Sequence, residues 1–236
     1  MGSRPGQGGD LQPGLRVGAI LLAAGEGQRM GGVAKPLIRV HGVPLVTRQL
    51  AALNGAGVDE VVVVTGYARE AVEQEVRRCA ATVAYNHAYA EGQQRSVRVG
   101  LEALIGPCDA VMIVLVDQPL IEAGDLTELL GAFRQRPRGH VVVPVVAGRR
   151  GNPVVIDRYA HEAVLASEPH LGCRQLIDRR PELVHAHETT NVRFVTDLDT
   201  VDDLRDLALR TGWQIDLPAG MPVRPAARAP HSWPTG

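Results

Sequence analysis

The chain has 236 residues, a formal net charge of −1, 45% hydrophobic and only 3% aromatic residues. A near-neutral balance without a Lys/Arg-rich stripe excludes a field that recruits nucleic acid, and so few aromatics exclude a stacking platform for single strands. The aliphatic content is enough for a sizeable core of Val, Leu, Ile and Ala, the composition of a buried sheet between helices. Three widely spaced cysteines, Cys79, Cys108 and Cys173, form no C-x-x-C pattern, and their odd number fits a reducing compartment. No apolar run approaches the ~20 residues that span a bilayer. The expectation is therefore a cytoplasmic protein with no membrane partner. Arg16 ahead of Val17–Ala24 has the look of a secretory leader. Cleavage there would sever a strand from the loop it carries, so that reading is rejected.

Residues 1–14 are Gly, Pro and polar without periodicity, and are expected to be a disordered leader. Val17 to Ala23 is a continuous apolar run of strand length. It lacks polar alternation, so both of its faces should be covered. A loop with Gly25, Gly27, Gly31, Gly32, Arg29 and Lys35 follows. Pro44 opens a helix that Gly55 and Gly57 close. Val58–Thr65 is a second buried strand ending at Gly66, and a helix is expected over Arg69–Arg78. A short strand over Thr82–Tyr85, a helix from Gln93 to Leu104 and a third long strand over Asp109–Val116 come next. A helix over Gly124–Arg134, a strand over His140–Val145 and a turn over Gly148–Pro153 lead to Val154–Ile156. Helical stretches are expected over Arg158–Leu165 and Gly172–Arg179, a strand over Val192–Thr196, and a last helix to Leu209. The β-α alternation predicts one mostly parallel sheet with right-handed crossovers, a three-layer α/β/α Rossmann-like fold over residues 15–216. From Leu217 five prolines in twenty residues predict a disordered tail over 217–236.

The glycine loop carries the first chemical signal. Glycines let a backbone approach a ligand, and their N–H groups can cradle phosphate oxygens. Two common templates do not fit. Gly31 lies one residue too late for G-x-G-x-x-G, and Lys35 precedes Pro36 where a Walker-type loop needs Ser or Thr. Asp117 follows the third long strand, so it belongs on the same carboxyl-end rim as the loop. A carboxylate facing a polyphosphate calls for a divalent cation between them, with Mg²⁺ the natural candidate. The second carboxylate is Asp197 or Asp199, with Asp199 preferred. Thr200 reads as a helix N-cap with Asp203 three residues on, which accounts for Asp202 and Asp203 without a ligand.

The pattern Leu-Ala-Ala-Gly-x-Gly-x-Arg-Met-Gly-x-x-x-Lys-Pro-Leu over Leu22–Leu37 resembles the signature of the MobA-like nucleotidyltransferases. Asp117-Gln118-Pro119 is similar to that family's metal-binding motif, and Phe194–Thr200 to the late motif that supplies the other ligand, Asp199. Asn86, Gly92, Ser96 and Gly100 resemble the segment that meets the nucleobase, and Gly151-Asn152-Pro153 the turn beside the acceptor. The resemblance spans about residues 17–210 and implies a nucleotide-diphospho-sugar-transferase-like fold. It assigns Ala23, Ala24, Gly25, Gly27, Met30, Gly31 and Gly66, with Asn86, Gly92 and Ser96, to a nucleoside triphosphate. It assigns Arg29, Lys35 and Asp117 to catalysis, Asp117 and Asp199 to Mg²⁺, and Asn152 and Arg174 to the acceptor. Ala23-Ala24-Gly25 looks more like the cytidylyl than the guanylyl branch. The implied partners are therefore CTP, a phosphorylated acceptor such as molybdopterin, and a molybdoenzyme that receives the product. Two departures stand out. Gln93 occupies a position where the family often has Met, and Pro169–Arg174 lacks the usual Gly-Asp. The alternatives are a guanylyl- or sugar-phosphate transferase of the same fold, a non-catalytic nucleotide sensor, or a nicotinamide-linked oxidoreductase using the Gly-rich turn. The last expects an acid at the end of the second strand, where Thr65-Gly66 stands.

Bland readings are expected elsewhere. His185 and His187 share a strand face but have no third ligand nearby in sequence. Cys173 reads as a small buried residue. Arg149-Arg150 reads as an exposed turn.

Overall fold

All seven residues of β1 (Val17–Ala23) are buried. The strand is paired in parallel on both edges and covered by helices on both faces. The computed structural model describes residues 14–168 and 172–218. The expected leader and tail, apart from Gly14, Leu217 and Pro218, and the segment 169–171 lie outside the described residues. In chain order β1 is followed by β2 (Arg39–Val40), β3 (Val43–Pro44), α1 (Leu45–Gly55), β4 (Glu60–Thr65), α2 (Arg69–Val76), β5 (Thr82–Tyr85), α3 (Gln93–Ala103) and β6 (Ala110–Leu115). Then come α4 (Ala123–Gln135), β7 (Val141–Val146), β8 (Arg149–Arg150), β9 (Val154–Asp157), α5 (Arg158–Ala166), α6 (Cys173–Arg179), β10 (Val184–Glu188), α7 (Val201–Thr211) and β11 (Ile215–Asp216).

The main sheet runs β10-β7-β9-β6-β1-β4-β5, with β8 hairpinned onto β7. β1 pairs in parallel with β4, Gly18 opposite Glu60 through Ala23 opposite Thr65. It pairs in parallel with β6, Val17 opposite Ala110 through Leu22 opposite Leu115. β9 runs antiparallel between β6 and β7. A separate small sheet, β11-β2-β3, ties the carboxyl-terminal segment to the chain just after the glycine loop.

Strand alternation sorts the apolar residues into two cores. Ala19, Leu21, Val61, Val63, Met112 and Val114 pack with Leu50 and Leu53 of α1, Val72 of α2, Leu129 of α4 and Leu207 of α7. The alternate residues Ile20, Leu22, Val62, Val64, Val111 and Ile113 pack with Val97 and Leu101 of α3, Val164 of α5 and Ile177 of α6. Helices on both faces explain why these strands read as unbroken apolar runs, and they give the three layers expected from the sequence.

Two local expectations are corrected. Val192–Thr196 is not a strand. Val192–Val195 forms a 3₁₀ turn, because the Asn191 side chain accepts the Arg193 N–H and folds the chain over Phe194, whose side chain is fully buried. The turn expected over Gly148–Pro153 is displaced. Ala147 and Gly148 make the turn with φ of 48° and 78°, and exposed Arg149 and Arg150 form β8 against Val146 and Val145.

Gly100 sits where α3 crosses β1. A Cβ there would lie 2.3 Å from Ile20 Cγ2, a side chain with no exposure. Gly131 in α4 has nothing within 4 Å of its would-be Cβ. The helical gain of Gly→Ala is about 1 kcal/mol, and overpacking a core costs about 1–3 kcal/mol. Gly100→Ala should therefore lower stability in urea denaturation, while Gly131→Ala should raise it. Substitutions that shift stability in the same direction would contradict the packing described.

Candidate active site

The segment from Ala24 to Lys35 folds back on itself at the carboxyl end of β1. Gly27 has φ of 60°, and its carbonyl accepts the N–H groups of Met30 at 2.8 Å and Gly32 at 3.1 Å. A Cβ at Gly27 would fall 2.1 Å from the Val33 carbonyl oxygen, so glycine is required there for the fold alone. Gly25 differs: its Cβ would meet nothing within 4 Å, yet it lines a cleft of about 330 Å³. Packing gives no account of that glycine, and its bare backbone is open to close approach by a ligand.

Lys35, Asp117 and Asp199 meet in this cleft. The Lys35 ammonium donates at 2.8 Å to Asp117 Oδ2 and at 2.8 Å to Asp199 Oδ1. Arg29 Nη1 donates to Asp199 Oδ2 at 2.6 Å. The Arg29 side chain is 74% exposed against 16% for Lys35, so the arginine's pair is a solvent-screened one and the lysine's is not. Partial burial works against the charge on Lys35. Asp117 and then Asp199 outweigh it and hold the ammonium above its ordinary 10.5. Asp197 stands beside the cluster. Desolvation, followed by the negative charges of Asp117 and Asp199, pushes its carboxyl up from the ordinary 3.8.

Two long-range tethers hold the carboxylates in register. The Leu198 N–H donates to the Asp117 carbonyl at 2.9 Å. Gln118, 1% exposed, donates from Nε2 to the Phe194 carbonyl at 3.0 Å. That carbonyl also accepts the Asn152 N–H at 2.9 Å. Gln49 in turn donates to the Gln118 carbonyl. Thr200 and Asp203 form the capping box expected from the sequence, and Asp203 also accepts the Asp199 N–H at 3.0 Å.

Asp117 Oδ1 is buried and lacks a hydrogen-bond partner. A buried carboxylate oxygen without a donor is costly unless a cation completes it. Among the described residues no group of three or more His, Cys, Asp or Glu is placed to hold a metal ion. Two carboxylates with an open remainder therefore fit a divalent cation of the Mg²⁺ type, whose other ligands are water and phosphate oxygens, rather than an all-protein cage.

Of the nucleotide residues expected from the sequence, Ala24, Gly25, Gly27 and Ser96 line the cleft, as do Arg29, Lys35, Asp117 and Asp199. The others stand behind the lining. Met30, 1% exposed, anchors the loop in the core beside buried Ala23. Gly31 ends the loop's 3₁₀ turn. Asn86 is buried and donates from Nδ2 to Ser96 Oγ at 3.0 Å, so it orients a lining residue. A Cβ at Gly66 would crowd Tyr89 Cβ at 2.6 Å, and Gly92, with φ of 118°, opens α3. Asn152 and Arg174 line a second, adjoining cleft of about 600 Å³, together with the Arg150–Asp178 pair at 2.6 Å.

Sequence reasoning missed Gln28, Tyr89 and Pro36 as lining residues. It also passed over a compositional signal: Lys35 is the only lysine in a chain whose other basic side chains, histidine aside, are all arginine. The reading of Cys173 as a small buried residue stands, whereas Arg149-Arg150 is strand β8 and not a turn. His187 Nε2 lies 2.9 Å from Glu128 Oε1, and Cys173 is free and buried, with its thiol pushed up to about 12 by burial. Among the described residues no helix is long and apolar enough to cross a membrane.

A family model described as the MobA-like NTP transferase domain matches residues 19–188. The bifunctional protein GlmU of Pelobacter propionicus is 36% identical over 138 residues, 58% of this chain and 29% of that protein. This chain therefore spans under a third of the first relative it matches. Nicotine blue oxidoreductase of Paenarthrobacter nicotinovorans is 29% identical over 194 residues, 80% of this chain and 94% of that protein. Among solved structures, a nucleotidyl transferase from Methanothermobacter thermautotroptrophicus superposes with a TM-score of 0.69 at 21% identity, covering 83% of this chain and 99% of that one. A Mycobacterium tuberculosis protein solved in complex with manganese gives 0.62 at 19%, covering 81% and 97%. At these identities the likeness establishes the fold, which is of the nucleotide-diphospho-sugar-transferase type.

With one lysine, ¹³Cε-lysine labelling yields one side-chain resonance. Its midpoint should lie above 10.5 in the native chain and fall in Asp117→Asn. The stability that the raised value contributes is whole below pH 10.5 and is lost as pH climbs through the folded midpoint. A native midpoint below 10.5 would contradict the geometry.

Proposed function

This chain belongs to the MobA-like NTP transferase family, and from that premise we propose that it moves a nucleoside monophosphate, CMP from CTP, onto a phosphorylated acceptor of the molybdopterin kind and releases pyrophosphate. The observation that carries this reading is the single ammonium of Lys35 held between Asp117 and Asp199 on the rim that also bears the glycine loop. An oxidoreductase has no evident use for that cluster, whereas a triphosphate and a divalent cation use every part of it.

In the proposed reaction a phosphate oxygen of the acceptor attacks the α-phosphorus in line. The bond between the α-phosphorus and the bridging oxygen breaks, and that oxygen leaves with pyrophosphate. The attacking oxygen is already ionised, so no protein nucleophile or base is required. A bound divalent cation would supply charge neutralisation at the phosphates, held by Asp117 and Asp199. The chain's own part is positioning and electrostatics. Lys35 and Arg29 turn from the carboxylates to the β- and γ-phosphates and stabilise the charge that develops on the leaving group. Gly25 lets the loop backbone lie against the triphosphate. Ser96, oriented by Asn86, meets the base. Asn152 and Arg174 hold the acceptor in the wider cleft. The base is assigned to cytosine from Ala23-Ala24-Gly25. The proposed product's receiver, a molybdoenzyme, follows from the same resemblance.

A second reading is favoured by one observation: the oxidoreductase relative matches nearly its whole length. Parallel assays separate the two. Pyrophosphate release is followed with Mg²⁺, each nucleoside triphosphate, and molybdopterin cofactor or a sugar-phosphate panel. NADH and NADPH oxidation is followed with the same preparations. Release of pyrophosphate with no nicotinamide turnover supports transfer, and the reverse pattern replaces it.

Lys35→Ala and Asp117→Ala should fold normally by circular dichroism and lose turnover about 10²–10³-fold, the scale for removing one preorganised charge-stabilising group. Near-native rates in either would refute the assignment. Gly25→Ala should keep native stability, having no atom to meet, yet weaken triphosphate binding in calorimetric titration. Unchanged affinity would remove the loop from the site.

A further inference from the structure

The two clefts share two lining residues, Gln93 and Leu115, and this seam is narrower in meaning than either cleft alone. On the strand side, Ile113, Leu115 and Asp117 alternate onto one face of β6 and its extension. Ile113 lines the wider cleft, Leu115 lines both, and Asp117 lines the nucleotide cleft. On the helix side the first turn of α3 does the same at helical spacing. Ser96, three residues on from Gln93, lines the nucleotide cleft, while Gln94 and Val97 line the wider one. Gln93 belongs to both. Leu115 is apolar, so Gln93 supplies the polar side chain at the seam. Its carboxamide has no hydrogen-bond partner among the described residues, and the residue is exposed.

Resting on the transfer reading above, we propose that Gln93 is a catalytic residue whose carboxamide N–H donates to a non-bridging oxygen of the α-phosphate. Transfer joins an acceptor oxygen to the α-phosphorus, so the reacting phosphorus must stand where the nucleotide cleft opens into the acceptor cleft. That place is the seam, two residues along the strand from Asp117. A carboxamide there has two N–H donors and adds no charge. It can follow the equatorial oxygens as they spread in the transition state without trapping pyrophosphate or product by ionic attraction. Arg29 and Lys35 are committed to the other end of the triphosphate.

The test uses the full chain and ³¹P NMR of bound α,β-methylene-CTP with Mg²⁺, together with the pyrophosphate-release assay. Gln93→Ala and Gln93→Met should move the α-phosphorus resonance and leave the γ resonance in place. Both should lower kcat about 10²-fold while the triphosphate Kd stays within about twofold. Gln93→Glu, of the same size but acidic, should lose more, because it places a negative charge against the phosphate. An α resonance unmoved in both neutral variants, or kcat within about twofold of native, overturns the role of Gln93 and leaves the transfer reading standing. Failure of the native chain to bind the analogue overturns the transfer reading itself, and this proposal with it.

Discussion

One ammonium between two carboxylates organises this molecule. Lys35 reaches Asp117 and Asp199 across 82 and 164 residues of sequence, and it does so from a half-buried position where unbalanced charge is expensive. Lys35 and Arg29 balance Asp117 and Asp199, and Asp197 adds a third carboxylate beside them. Burial first, and then the charges of Asp117 and Asp199, push the Asp197 carboxyl up. A cluster built this way stores demand for further positive charge. In the proposed reaction Asp117 and Asp199 would hold a divalent cation, which would neutralise phosphate charge and leave Lys35 free to meet the phosphates.

The fold exists to hold that cluster still. Parallel strands β1 and β6 lie side by side, so the glycine loop after one and Asp117 after the other emerge on the same rim. Asp199 comes from the far end of the chain and is brought to them by backbone and carboxamide bonds, Leu198 to Asp117 and Gln118 to Phe194. The Phe194 carbonyl also accepts the Asn152 N–H, so one peptide group links the cleft of Asp117 to the adjoining cleft. Both faces of the sheet beneath these positions are covered by buried apolar side chains.

The parts legible in the sequence were those with a short-range cause. Unbroken apolar runs mark β1, β4 and β6, and the strand-end rule puts Lys35 and Asp117 on one rim from the sequence alone. The Thr200–Asp203 cap was readable because its chemistry spans three residues. Val192–Val195 was misread, since a single buried Phe194 in a 3₁₀ turn leaves the same alternating apolar pattern as a short strand. The tethers from Gln118 were invisible for a different reason: a hydrogen bond across 76 residues has no periodicity to announce it. The supporting positions of Met30, Asn86 and Gly66 likewise depend on tertiary packing. Motif reading found these residues but could not distinguish a residue that lines the cleft from one that holds the lining.

The solitary lysine permits a direct test of the central claim. A chain labelled with ¹³C-lysine is titrated with CTP and Mg²⁺ at neutral pH, and its one lysine side-chain signal is followed. The account requires that signal to move saturably, with the same dissociation constant as calorimetry gives for the nucleotide. A signal that stays fixed while CTP binds would place the triphosphate elsewhere and remove Lys35 from the reaction.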